Sequence, residues 1–246
     1  MTRACRHTSP RRVADLARVV ILSGSGLSAE SGLPTFRDSA GLWNQYDWRE
    51  LASPEGWRKH PEVVLAFYNE RRARAWSAQP NAAHLAIASL EQQHDVAVVT
   101  QNVDALHERA GSTRVLHLHG ELAFARGTGR SRRRYRLDGA PIVLGQLCDE
   151  GTQLRPDIVW FGEETRFMDE AREQVAAADK VLVVGTSLTV YPAAALVDDA
   201  RDDAVKVLNS LEMDDVPLGF EFAPGPATVV VPGIAARWLA ANHGAL

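Results

Sequence analysis

Short apolar runs, each closed by a loop signal, punctuate the chain. RVVILS (Arg18 to Ser23), DVAVVT (Asp95 to Thr100), KVLVVGTS (Lys180 to Ser187) and AVKVLN (Ala204 to Asn209) have the length and β-branched content of buried strands. VLHLHG (Val115 to Gly120) and ATVVV (Ala227 to Val231) read as two more. Helical patterns lie between several of them. NAAHLAIASLEQQ (Asn81 to Gln93) opens on an N-cap residue, and DEAREQVAAAD (Asp169 to Asp179) is amphipathic. PGIAARWLAANHG (Pro232 to Gly244) has proline near its start and glycine past its end. Strands alternating with helices predict an α/β fold: a parallel sheet covered on both faces. Ligands of such sheets bind outside the carboxyl ends of the strands.

Two stretches break the alternation. Tyr46 to Gln79 is tryptophan-rich and helical, centred on PEVVLAFYNERRARAW. Glu121 to Gln153 has little periodicity. Neither offers an obvious strand, so the two together suggest a smaller inserted domain.

Composition narrows the class. With 46% hydrophobic and 24% charged residues among 246, the chain reads as a soluble globular protein. A net charge of −4 carries no global footprint of nucleic-acid binding. Two cysteines, Cys5 and Cys148, argue against a disulfide framework and cannot supply a four-cysteine zinc site. No apolar run reaches the roughly 18 residues that suggest a membrane span. Residues 1–12 are basic without an apolar core behind them, so they read as a loose tail and not a secretory signal. A cytoplasmic enzyme is the expectation.

The candidate chemistry sits after the strands. GSGLSAESGLPTFRDSAGLW (Gly24 to Trp43) follows the first. Gly24 and Gly26 allow a tight turn and close approach of backbone to a pyrophosphate; a plain glycine-rich turn fits the loop alone equally well. Its tail adds Phe36, which can cover a ring, and Arg37, which can reach a phosphate or carboxylate. In TQNVDALHERAG (Thr100 to Gly111), Asn102 and Asp104 read either as helix caps or as ribose, nicotinamide or water contacts. In LHLHG, His117 and His119 alternate along a strand and would share a face. An H-x-H pair can bind metal, but no clear third ligand is nearby. His119 stands at the strand end, where an α/β site places a general base. LRPDIVWFGE (Leu154 to Glu163) reads as an extended segment able to pair with a peptide by strand addition. GTSLTVYPAA (Gly185 to Ala194) offers small residues for a second close approach to a nucleotide.

These five motifs, in this order and spacing, resemble the sirtuins, NAD-dependent protein deacylases, and most nearly the bacterial class III type. The resemblance runs from about residue 18 to 240. It implies a Rossmann-like domain (13–45, 94–120 and 154–246) and a small domain (46–93 and 121–153) with NAD between them. It implies cofactor contacts from Gly24, Ser25, Gly26, Ser28, Glu30, Pro34, Phe36, Arg37 and Trp43. Gln101, Asn102, Val103 and Asp104 would line the nicotinamide and ribose end. Gly185, Thr186, Ser187, Asn209, Ser210, Leu211 and Ala227 would hold the adenosine half. His119 would be the catalytic base, and Val159, Trp160, Phe161 and Gly162 would meet the substrate. The implied partner is an acylated lysine of another protein, with the enzyme a monomer. The implied chemistry cleaves NAD at its glycosidic bond and yields nicotinamide, O-acyl-ADP-ribose and free lysine. Ser25 stands where the family usually has alanine.

Tyr68 and Arg71 lie three apart on a helix, so a phenol and a guanidinium share one face. In class III sirtuins such a Tyr-x-x-Arg pair recognises the acid end of succinyl- or malonyl-lysine. One departure stands out. Sirtuins normally carry structural zinc on four cysteines, whereas here Cys148 is alone between residues 121 and 153. No histidine follows His119 in that segment, and Arg126 to Arg136 holds six arginines and no acid. The expectation is no zinc. Tyr135, Leu137, Ile142, Val143 and Leu147 would then form a small apolar core, or the module would be mobile. The arginine run reads as a solvated face, with contact to acidic substrates or nucleic acid as the alternative. Two other readings remain: an NAD glycohydrolase or ADP-ribosyltransferase on the same fold, and an NAD-sensing module without catalysis.

Overall fold

The computed structural model describes residues 16–35 and 46–241. Its main sheet has strands β1 (Arg18–Ser23), β2 (Asp95–Thr100), β3 (Val115–His117), β7 (Lys180–Val184), β8 (Val205–Ser210) and β9 (Glu221–Pro224). They lie in the order β3-β2-β1-β7-β8-β9, all pairs parallel. Alternate residues of the central strands fill opposite faces, as a period of two requires. Val19, Ile21, Val96, Val98, Leu182, Val184 and Val207 pack beneath helices α5 (Ala82–Ser89) and α8 (Ala227–Ala241). Val20, Leu22, Ala97, Val99, Val181, Val183 and Leu208 pack on the other side, against α7 (Met168–Ala176) and the 3₁₀ segment Ala193–Asp199.

Three expectations about secondary structure change. ATVVV is not a strand; it opens α8. Val229 and Val230 donate their N–H groups to Pro226 O, and Ala227, Val231, Ile234, Ala235 and Trp238 are buried. That spacing is a helical stripe, so packing overrides β-branched propensity. Pro232 consequently lies inside the helix, not at its start. Next, β3 stops at His117, and Leu118 and His119 form a turn into β4 (Gly120–Gly127). Gly120 has φ +80°, and a Cβ there would lie 2.1 Å from Asp157 O, so only glycine makes this corner. Finally, the 121–153 stretch does contribute strands. β4 pairs antiparallel with β5 (Arg134–Arg136) and with β6 (Leu154–Ile158), in the order β5-β4-β6.

Against this small sheet pack α2 (Trp48–Leu51), α3 (Pro54–Lys59) and α4 (Pro61–Ser77). Leu65, Ala125, Ile142, Cys148 and Leu154 form one cluster, with Tyr135 and Leu137 partly buried against it. Val143 and Leu147, expected in that core, are exposed instead. Nor is the arginine run a uniformly solvated face. Arg126 Nη2 meets Glu163 at 3.0 Å, Arg134 Nε meets Asp157 at 2.7 Å, and Arg133 and Arg136 pair with Asp149 and Asp138. Asp157 is 1% exposed and also receives Arg166, at 2.5 Å. Arg126 and Arg134, its partners from the arginine run, lie on other strands and far away in sequence, which hid the pairing. No helix among the described residues is long and apolar enough to cross a membrane.

Candidate functional site

The site forms where strand order reverses. From β1 the chain proceeds to β2 on one side, while β7 lies on the other. The loops leaving β1 and β7 therefore meet at the carboxyl ends of their strands. They interlock closely: Gly24 N–H donates to Val184 O at 3.0 Å and Gly26 N–H to Gly185 O at 2.8 Å. A Cβ on Gly185 (φ +63°) would stand 2.1 Å from Leu27 N. This bare-backbone crevice suits a phosphate-bearing ligand that must approach the main chain.

Above it opens a cavity of about 250 Å³. Gly24, Ser25, Gln101, Asn102, Val103, His119, Gly185, Thr186 and Ser187 line it. So do Tyr68 and Arg71 from α4 and the segment Val159, Trp160, Phe161 and Gly162. A smaller adjoining cavity adds Ser28, Pro34 and Asp104, and shares Ser25, Arg71, Asn102 and Val103. Residues from five separate motifs thus converge.

Other expected residues lie elsewhere. Gly26 packs on Gly185. The Glu30 carboxylate accepts from Thr228 N–H and Oγ1–H, bridging to the start of α8. Asn209 is buried, donating Nδ2–H to Ala223 O and Gly225 O, and its backbone carbonyl receives Gly185 N–H at 3.1 Å. Ser210 turns its hydroxyl to Glu212 O, Leu211 is exposed, and Ala227 is buried in the first turn of α8. Phe36, Arg37 and Trp43 fall outside the described residues. Sequence reasoning missed Val190, Tyr191 and Pro192 in the cavity wall, although they continue the Gly185–Ser187 loop.

His119 Nδ1 lies 3.2 Å from Gln101 O. A carbonyl only accepts, so Nδ1 carries the proton and Nε2 keeps a lone pair. Burial lowers the pKa of His119, against a smaller opposing effect of the Gln101 carbonyl. The ring is therefore held neutral and basic at one atom. Asn102 Nδ2–H donates to Ser28 Oγ at 3.2 Å, and Ser28 donates to Asp104 Oδ2 at 3.1 Å. Burial raises the Asp104 pKa, and the hydrogen bonds from Leu106 N–H and Ser28 oppose it. Burial also raises Tyr68 and lowers Arg71. The guanidinium of Arg71 lies 5.7 Å from the Tyr68 ring centroid.

His117 differs from His119 entirely. It contacts Asn102 O and Glu108, away from the cavity. Glu108, His117 and Glu121 have ligand atoms within 4.8 Å of one another, so the expectation that no third group stands near is corrected. Glu108 already faces His117 and Glu121 already faces Arg134, so the trio reads as two ion pairs.

Trp160, 2% exposed, sits under the Arg155 guanidinium at 3.2 Å and beside Trp57 at 5.7 Å. Glu163 accepts from Arg155 and from Trp160 N–H, fixing the turn beyond β6. The expected peptide-pairing segment is thus rigidly held, with Phe161 its more exposed ring.

The Sir2 family model matches residues 24–192, the span containing the cavity. The chain belongs to the Sir2 family. It is 51% identical over 190 residues to an NAD-dependent protein deacylase of Helicobacter pylori (strain J99), covering 77% of this chain and 81% of that one. It is 42% identical over 241 residues to an NAD-dependent protein deacylase of Caulobacter vibrioides, covering 92% and 98%. Among solved structures, a Sir2 homolog–NAD complex superposes with TM-score 0.81 at 39% identity, covering 93% of this chain and 92% of that one. A Sir2 protein bound to acetylated peptide gives 0.73 at 28% identity, covering 94% and 95%. The six-stranded Rossmann-like sheet with its small antiparallel companion is the fold of this Sir2-family chain.

Proposed function

We propose that this chain is an NAD-dependent protein-lysine deacylase. The observation that carries the reading is His119: a half-buried imidazole, held neutral with its proton on Nδ1, in the wall of a cavity shared by the β1, β2 and β7 loops. NAD, when bound, supplies a ribose that loses nicotinamide and accepts the acyl group. Ser25, Thr186 and Ser187 offer polar groups to its phosphates and adenosine half, while the glycines beside them, their amides already bonded to Val184, Gly185 and Asn209, let the ligand approach closely. Asn102, Asp104 and Ser28 hold the nicotinamide end through their mutual hydrogen bonds. His119 Nε2 takes a proton from a ribose hydroxyl. Val159 to Gly162 guide the acyl-lysine inward. Relatives named as NAD-dependent deacylases, and solved relatives holding NAD or acetylated peptide, support this assignment.

The acyl end is read by Tyr68 and Arg71, which line the same cavity. A carboxylate there receives a charge-assisted, two-pronged bond from the guanidinium and a phenol hydrogen bond. Succinyl- and malonyl-lysine are therefore substrates beside acetyl-lysine. The small domain, 46–93 with 121–153, holds together without zinc, through ion pairs around Asp157. The enzyme works as a cytoplasmic monomer.

The test is incubation with NAD and peptides bearing acetyl, malonyl or succinyl groups, with products identified by mass spectrometry. Nicotinamide, O-acyl-ADP-ribose and free lysine are expected, all lost in His119→Tyr. Free or protein-bound ADP-ribose without deacylation would overturn the reading. Arg71→Met is expected to lower succinyl turnover roughly 10- to 100-fold relative to acetyl, the worth of about 1.5–3 kcal/mol for a charged hydrogen bond. An unchanged ratio would remove Arg71 from acyl recognition.

A further inference from the structure

His117 has no place in that chemistry, yet it is built into the site's support. Its side chain is 4% exposed at the end of β3. Nδ1 lies 2.8 Å from Asn102 O, and Nε2 lies 2.7 Å from Glu108 Oε1. The carbonyl only accepts, so Nδ1 bears a proton; an ionised carboxylate only accepts, so Nε2 bears another. The ring is an imidazolium clamped between α6 (Leu106–Ala110) and the loop that precedes it. Gln101 N–H is bonded to Ser23 O, and Asn102 N–H to Thr100 Oγ1, both neutral contacts. The bond from His117 to Asn102 O is charge-assisted and about twice as strong as a neutral one.

We infer that Glu108 and His117 form a positioning pair, which grips the Asn102 carbonyl from behind and so aims the Asn102 side chain and the Gln101 carbonyl at the ligand and at His119. The pair touches no reacting atom and acts through the loop. The inference rests on the reading of that loop as the nicotinamide end of the site.

The surroundings support an ionic pair. His117 faces Glu108 from α6, Glu121 from β4 and Asp104 from the loop, with His107 the other imidazole nearby. Glu121 is neutralised in turn by Arg134 from β5. Burial opposes the imidazolium, but the hydrogen bond and charge of Glu108 outweigh it, so the pKa of His117 is raised. The grip is therefore intact below that raised pKa and weakens as pH climbs through it. Above it the Nε2 lone pair confronts a carboxylate at hydrogen-bond distance.

The experiment uses the full chain as wild type, Glu108→Gln, Glu108→Ala and His117→Phe. NAD affinity is read by calorimetry, and KM for NAD and for an acetylated peptide by steady-state kinetics, from mildly acid to alkaline pH. In the wild type NAD affinity falls on the alkaline side. Glu108→Gln keeps neutral-pH affinity, because its amide N–H donates to a neutral Nε2 while Nδ1–H stays on Asn102; its alkaline fall disappears. Glu108→Ala weakens NAD binding about tenfold, near the value of one charge-assisted bond, with peptide KM unchanged. His117→Phe does the same, and Glu108→Ala carries this arm should the phenylalanine variant fail to fold. An alkaline fall that persists in Glu108→Gln overturns the proposal, as does a parallel rise of both KM values in Glu108→Ala. A wild type that binds NAD but leaves every acyl-peptide intact would instead sink the deacylase reading, while NAD affinity still tests the pair.

Discussion

His117 and His119 are two positions apart and do opposite things. His119 loses its charge to burial and keeps a bare Nε2, while His117 keeps its charge through Glu108. Alternation along LHLHG would put both rings on one face, and only the late position of His119 marked it as the base; the strand in fact ends at His117, and only His119 reaches the cavity. The separation is testable by pH. Only neutral His119 is a base, and its pKa is lowered below 6.5. Deacylation should rise with pH through a midpoint under 6.5, as the acid limb of kcat/KM for NAD would report. A midpoint well above 6.5 would show that another group controls the proton transfer. The same sign governs stability. The stability that comes from holding this ring neutral is fully present above the ordinary histidine value of 6.5 and is lost as pH falls from there through the lowered pKa.

Among elements, the small sheet carries the most distinctive physics. β4 and β6 bring Arg126 and Asp157 together, β5 brings Arg134, and the chain beyond β6 returns Arg166. A buried carboxylate with these guanidinium partners is costly to break: removing one partner of a buried pair costs about 3–5 kcal/mol. Asp157→Asn should therefore lower the unfolding midpoint sharply, with loss of the turn that presents Val159 to Gly162. Retained stability within about 1 kcal/mol would show that the ion pairs contribute little. If these pairs stand in for metal, exhaustive treatment with chelator should leave the midpoint unchanged. Near-stoichiometric zinc in the purified protein, with destabilisation on its removal, would refute that. None of this pairing could be read from the arginine run, since acids such as Asp157 and Glu163 are supplied from more than twenty residues away.

For the molecule as a whole, the apolar runs around β1, β2, β7 and β8 were legible because central parallel strands are apolar on both faces. β5 and β9 were not, being short edge strands whose residues are mostly half-buried or exposed, and β4, though central in the small sheet, begins and ends on glycine and lacks a clean alternation of buried and open positions. ATVVV misled because its β-branched residues suit a strand, and only its burial stripe identifies a helix. The cavity was legible as motifs following strands. Its inclusion of Tyr68 and Arg71 depended on how α4 packs, which periodicity does not specify.

The interlocked glycines have a consequence for motion. Gly24 and Gly26 donate their amides to Val184 and Gly185, contacts made between segments some 160 residues apart. With a Cβ's width of clearance absent at Gly185, the two loops cannot part by a local breath without separating β1 from β7. Their amide hydrogens should therefore exchange with solvent deuterium at the slow rate of global unfolding, alongside the central strands and unlike ordinary surface loops. The floor of the crevice would be among the last parts of the protein to open, and whatever adapts to an incoming ligand must be sought in its walls.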